Sequence, residues 1–84
     1  MDKFLLIDVG NGRTKLALAS REAILERREL PTSDVGGEIL ERALDGWGYA
    51  RVVACSVVPK TTTILRSAFG ANFVELTHRV PMGI

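Results

Sequence analysis

Asp8, Gly10, Asn11, Gly12, Arg13, Thr14 and Lys15 fall within one short run, Asp8-Val9-Gly10-Asn11-Gly12-Arg13-Thr14-Lys15. Their types and order suit phosphate chemistry. A carboxylate ends an apolar segment and can hold a magnesium ion, directly or through water, that bridges phosphate oxygens. A Gly-Asn-Gly turn follows, whose backbone N–H groups can approach a phosphate because no large side chain blocks them. Lys15, with Arg13 near it, supplies positive charge. The plainer account of the same residues is an ordinary hairpin with an Asn-Gly turn, and spacing alone does not choose between the two. No GxxxxGK[ST] is present, so the run is not a P-loop.

The other reactive side chains make weaker cases. Cys55 sits in an apolar segment, where a thiol is inert. Ser56 has no histidine base within its own element, so it is not read as a nucleophile. His78 lies in a tail without periodicity and is expected to face solvent. Trp47 closes a helical apolar stripe and is expected to pack rather than to platform a ligand. Arg27 and Arg28, flanked by Glu26 and Glu29, read as a solvated, charge-balanced face. Thr61, Thr62 and Thr63 are expected to cap and start a helix.

These residues need elements to position them. Residues 3–9 are nearly continuously apolar and stop at Gly10, the pattern of a strand buried on both faces. Residues 13–19 alternate, with Thr14, Leu16 and Leu18 on one face, and give a second strand. Residues 23–30 complete a meander that ends at Pro31. A helical period runs from Thr32 to Leu44 through Val35, Ile39, Leu40, Ala43 and Leu44, and reaches Trp47. Thr32, Ser33 or Asp34 can cap its start, while Gly36-Gly37 weakens its first turn by about 1 kcal/mol each. Residues 50–58 form another strand, Thr61 to Phe69 a short helix with Ile64, Leu65, Ala68 and Phe69 as its buried stripe, and residues 73–76 a last strand.

The order βββαβαβ predicts an α/β domain with a five-stranded mixed sheet. Crossovers between parallel strands are right-handed in about 98% of cases. If the fourth strand lies beside the first and the fifth beyond it, both helices fall on one face. The other face then lacks a cover layer, and the stretch is expected to self-associate as a homodimer through it.

Composition excludes several classes. The 84 residues allow one small domain, with 46% hydrophobic and 25% charged residues, the balance of a folded globular chain. Eleven Lys+Arg against ten Asp+Glu leave a net charge of +1, which gives no electrostatic case for nucleic acid or an anionic membrane. One cysteine and one histidine exclude a disulfide framework and argue against structural zinc. No apolar run approaches the roughly 18–20 residues of a membrane span, and the N-terminus lacks a signal peptide's basic region, so a cytoplasmic location is expected.

The run from Asp8 to Lys15 resembles the Asp-x-Gly-Asn-Thr-x-x-Lys phosphate motif that opens the type III pantothenate kinases, in the actin/Hsp70/sugar-kinase superfamily. Cys55-Ser56-Val57-Val58-Pro59 is similar to the family's Ser-Ser-Val-Val-Pro segment, which ends the fourth strand. Gly12 stands where the family usually has Thr, and Cys55 replaces the first Ser. The resemblance implies a ribonuclease-H-like fold, half of an actin-like ATPase, with residues 1–84 as the N-terminal domain and the second domain absent from this chain. It implies transfer of the γ-phosphoryl of ATP to pantothenate, the first step of coenzyme A synthesis, with Mg2+ and a monovalent cation, K+ or NH4+. Asp8 would hold the metal, and Gly10, Asn11, Gly12, Arg13, Thr14 and Lys15 would bind nucleotide phosphate. Pro81-Met82-Gly83-Ile84 looks like the approach to the family's substrate segment. The catalytic base would lie in the second half, leaving these 84 residues inactive alone. The rival readings are a non-catalytic nucleotide-binding or assembly module of the same fold, and another small-molecule kinase of the superfamily. Ser-Val-Val-Pro together with Asp-x-Gly-Asn disfavours the latter.

Overall fold

Alternate residues of the first strand vanish from solvent. In β1 (Phe4–Val9), Leu5, Ile7 and Val9 are completely buried, while Phe4, Leu6 and Asp8 are half-buried. The computed structural model describes residues 3–76 and Ile84. Across them β1 is followed by β2 (Arg13–Ala19), β3 (Ile24–Pro31), a 3-10 turn (Thr32–Asp34), α1 (Gly37–Ala43), β4 (Arg51–Ser56), α2 (Pro59–Phe69), a second 3-10 turn (Gly70–Asn72) and β5 (Phe73–Glu75). The sheet order is β3-β2-β1-β4-β5, antiparallel on the meander side and parallel from β1 to β5. This is the expected five-stranded mixed sheet of an α/β domain.

Register fixes what each face carries. Leu5, Ile7 and Val9 stand opposite Leu18, Leu16 and Thr14 of β2, and Leu5 and Ile7 stand beside Val52 and Ala54 of β4. Leu5, Ile7, Val9, Leu16, Val52 and Ala54 form one core with Leu30, Val35, Leu40 and Leu65, against which Ala43, Leu44, Trp47 and Phe69 pack. Both helices therefore lie on the same face. Each fully buried Leu or Ile there contributes about 1.5–3 kcal/mol.

The second face carries Phe4, Leu6, Asp8, Lys15, Ala17, Ala19, Val53 and Cys55 by the same register. No described helix covers it. It is nevertheless less bare than alternation predicts. Ala17, Ala19 and Cys55 are buried, and its two strongly exposed large apolar residues, Leu25 and Val74, sit on opposite edge strands.

Two helices differ from the periodicity. The expected helix from Thr32 to Leu44 splits into a 3-10 turn and a seven-residue α1, because Gly36 and Gly37 take φ of 146° and 47°, outside the helical region. Ile39, expected in the buried stripe, is consequently 48% exposed. α2 begins at Pro59 rather than Thr61. Proline is preset for the first helical position and its missing N–H costs nothing there. Thr62 and Thr63 donate their hydroxyls back to the Val58 and Pro59 carbonyls instead of capping. Ala68 is exposed, and Thr61 and Thr62 are buried in its place.

Arg28 is the other departure. It is no solvated face charge. Its Nη1 donates to the Ala43 and Asp45 carbonyls at 2.7 and 2.9 Å, and its guanidinium lies 4.2 Å from the centre of the Trp47 ring. It thus satisfies carbonyls at the C-terminal end of α1, where a cation is favoured, and ties that end to β3. The Trp47 indole N–H, close to Glu26 but outside ideal hydrogen-bond geometry, acts with Arg28 to hold the Glu26 carboxyl below its usual range. Trp47 packs, as its place in the stripe predicts.

Candidate phosphate site at the first hairpin

β1 delivers Asp8 to the C-terminal end of the central strand, on the face away from the helices. Lys15 stands directly opposite it on β2 and Cys55 beside it on β4. Directly opposed residues in an antiparallel pair have Cβ atoms about 4.5–5.5 Å apart, so Asp8 and Lys15 leave the same face of the sheet side by side. One Asp8 oxygen, Oδ1, is buried while the residue as a whole is half-exposed. Lys15 is exposed and makes no ion pair among the described residues. It borders an open hollow of about 420 Å³, also lined by Leu16, Arg27, Arg28, Glu29 and Ile84.

The turn between them has an unusual construction. The Gly10 N–H donates to the Arg13 carbonyl at 2.9 Å and closes the hairpin. Neither Asn11 nor Gly12 has a positive φ, so this is not the left-handed turn that Asn-Gly usually signals. The turn is held from outside, by Thr32 at the far end of β3. The Thr32 hydroxyl donates to the Gly10 carbonyl at 2.7 Å, and the Thr32 N–H donates to the Gly12 carbonyl at 3.0 Å. Both flanking carbonyls are thereby engaged. Among the described residues no hydrogen bond uses the N–H of Asn11 or of Gly12. Two adjacent N–H groups without a partner among the described residues are donors of the kind that can serve an anion.

The glycines differ in why they are needed. A Cβ on Gly10 would meet the Arg13 carbonyl oxygen at 3.1 Å, so close approach excludes a side chain there. A Cβ on Gly12 would meet nothing within 4 Å. A side chain at this position is therefore compatible with the backbone.

Arg13 and Thr14 diverge. Arg13 pairs with Glu29 at 2.9 Å at the surface, both side chains well exposed. Such a pair is worth about 0–1 kcal/mol, which leaves Arg13 able to turn to a ligand. Thr14 points the other way. It is fully buried on the helix side, and its hydroxyl lies 2.9 Å from that of Thr32. Its side chain supports the turn from behind.

The remaining side chains with chemical potential are structural. The Ser56 hydroxyl accepts from the Val58 N–H and donates to the Val58 carbonyl, both at 3.1 Å, which fixes the bend into α2. Cys55 is 2% exposed, as an inert core thiol should be. His78 and the segment 81–83 lie outside the described residues. Thr32 is the residue that sequence reasoning missed. Its type suggested a helix cap, and nothing local shows that β3 returns it to the first turn.

The family model of the type III pantothenate kinases matches residues 4–81. The chain belongs to the type III pantothenate kinase family. It is 42% identical over 84 residues to the type III pantothenate kinase of Akkermansia muciniphila, covering 96% of this chain and 35% of that protein. It is 26% identical over 80 residues to the type III pantothenate kinase of Methylacidiphilum infernorum, covering 95% of this chain and 30% of that protein. The chain thus spans about a third of the length of these curated relatives. The fold agrees with the ribonuclease-H-like half of such a kinase. No helix among the described residues is long and apolar enough to cross a membrane.

Proposed function

We propose that these 84 residues form the phosphate-holding half of an ATP-dependent pantothenate kinase. The observation that carries the proposal is the turn itself. Its carbonyls are tied back to Thr32, and the N–H groups of Asn11 and Gly12 remain available between Asp8 and Lys15. Phosphoryl transfer is mostly positioning and charge stabilisation, so donors, a cation and a metal carboxylate are what this half must contribute. Asn11 and Gly12 donate to phosphate oxygens. Lys15 neutralises their charge, and Arg13 exchanges Glu29 for phosphate when nucleotide is present.

A magnesium ion fits this donor set. Magnesium is typically held by one or two carboxylates plus substrate phosphates and waters rather than by a protein cage. The described residues contain no cluster of three or more acidic, histidine or cysteine ligands, and Asp8 alone meets that requirement. When bound, the ion would supply charge neutralisation on the phosphate oxygens. The expected monovalent cation has no donor set assigned among the described residues. The Gly10 and Gly12 carbonyls already accept from Thr32, and no role for K+ or NH4+ is assigned to these residues.

No base for the pantothenate hydroxyl follows from this half. After Cys55 the sequence holds one carboxylate, Glu75, and it is paired with Arg66. Purified by itself, the 84-residue stretch is expected to show no turnover in a coupled assay with ATP, magnesium, K+ or NH4+, and pantothenate. The full-length enzyme is expected to phosphorylate pantothenate and not a sugar or acetate. Turnover by the stretch alone would overturn this division of labour, and a preference for sugar or acetate would transfer the protein to a sister kinase.

The reading extends to assembly and location. The second sheet face, with Leu6 and Val53 half-buried and Val74 42% exposed, is proposed to pair two copies as a homodimer. The 84-residue stretch should then sediment with a concentration-dependent mass at micromolar levels, and an invariant monomer would remove the proposal. A net charge of +1 gives these residues no electrostatic case for a nucleic-acid or membrane partner, and a cytoplasmic location is part of the proposal.

A further inference from the structure

We propose that Thr32 is a positioning residue for the nucleotide, and that Thr14 orients it. The inference rests on the reading that the first hairpin holds phosphate, and adds the element that shapes it. Thr32 is 7% exposed and sits where β3 gives way to the 3-10 turn, 20 positions after Gly12 in sequence. It makes three contacts there. Its hydroxyl donates to the Gly10 carbonyl at 2.7 Å, its N–H donates to the Gly12 carbonyl at 3.0 Å, and its oxygen lies 2.9 Å from the Thr14 hydroxyl.

Proton bookkeeping orders the network. A hydroxyl has one proton to give. The proton of Thr32 goes to Gly10, so Thr14 must donate to Thr32. The chain Thr14 to Thr32 to the Gly10 carbonyl is therefore directional, and both hydroxyls are buried, where such bonds are strong and costly to leave unmade. A peptide unit is planar. Pulling the Gly10 carbonyl toward Thr32 turns the Asn11 N–H of the same plane the opposite way. Engaging the Gly12 carbonyl likewise fixes the plane that carries the Arg13 N–H. Without Thr32, the Gly10–Asn11 plane is free to rotate, since Asn11 and Gly12 hold no left-handed turn conformation of their own. Thr32 acts on the ligand only through this plane and touches no phosphate.

The test is ATP affinity and kinetics in the full-length enzyme. Thr32→Val keeps the shape and removes the hydroxyl. It is expected to raise the Kd and KM for ATP about tenfold while leaving the KM for pantothenate unchanged, the scale of one buried hydrogen bond. Thr32→Ser, which restores the hydroxyl, should recover most of that loss, an outcome that lost packing alone would not give. Should Thr32→Val fail to fold, Thr14→Val decides. It leaves Thr32 in place but removes the donor that orients it, and is expected to weaken ATP in the same direction by a smaller factor. Wild-type ATP affinity in a folded Thr32→Val, or in Thr14→Val where the first does not fold, would overturn the proposal. Lys15→Ala separates the underlying reading. If Lys15→Ala weakens ATP and the threonine variants do not, only the role of Thr32 falls. If Lys15→Ala also binds ATP normally, the phosphate site itself is misplaced.

Discussion

Asp8→Asn in the full-length enzyme is expected to lower the rate of pantothenate phosphorylation about 10²–10³-fold, the usual cost of removing one preorganised electrostatic group. Asn keeps the size and the backbone propensity of Asp at this strand end, so the fold has little reason to respond. Asp8 is half-exposed on the face away from the core, and its neighbours Lys15 and Cys55 remain in register. The loss should fall on kcat and on magnesium dependence, because the missing charge is one that a magnesium–phosphate complex needs. The check is steady-state kinetics beside thermal melts. Unchanged kinetics would assign Asp8 a structural role, and a collapse of the melting midpoint would assign it to stability.

One residue earlier the opposite pattern holds. Ile7→Ala should destabilise the enzyme by about 2–5 kcal/mol, since it removes a completely buried side chain from the central strand and leaves a cavity. Ile7 lies between Leu16 and Ala54 in the sheet and under both helices, so no neighbour can collapse into the space without moving the sheet. Urea unfolding should show a lower midpoint. At temperatures where the variant stays folded, its kcat should fall far less than that of Asp8→Asn. A stability loss under about 1 kcal/mol would mean that the core is looser than its burial indicates. Two neighbours on one strand thus separate by face: the odd side carries stability, the even side chemistry.

That division was legible in the sequence because a strand's period is two. The apolar run from Phe4 to Val9, its stop at Gly10, and the alternation of Thr14, Leu16 and Leu18 were enough for the meander. The right-handed crossover rule was enough to place both helices on one face. Asp8 and Lys15 were legible as members of one phosphate-type run, and the register then set them opposite each other. What escaped was set by long-range contact. Thr32 touches Gly10 and Gly12 only because β3 folds back along β2, and no local pattern marks a threonine for that task. Arg28 looked like a surface charge among Glu26 and Glu29, yet the end of α1 and Trp47 come to it. The glycine pair 36–37 was visible as a weakness, but whether it would strain a helix or break it depended on packing. The second face is less bare than alternation predicts, because alternation reports which side a residue is on and not how much of it is covered.

The central claim is that the Asn11 and Gly12 amides, in a turn whose Gly10 and Gly12 carbonyls are tied to Thr32, hold the phosphates of ATP. Amide NMR of the isotope-labelled full-length enzyme, titrated with magnesium and a non-hydrolysable ATP analogue, tests it most directly. The account predicts that the Asn11 and Gly12 N–H resonances move strongly downfield in step with saturation, with Lys15 following and the amides of α1 unmoved. Saturable binding of the analogue that leaves the Asn11 and Gly12 resonances in place would contradict it.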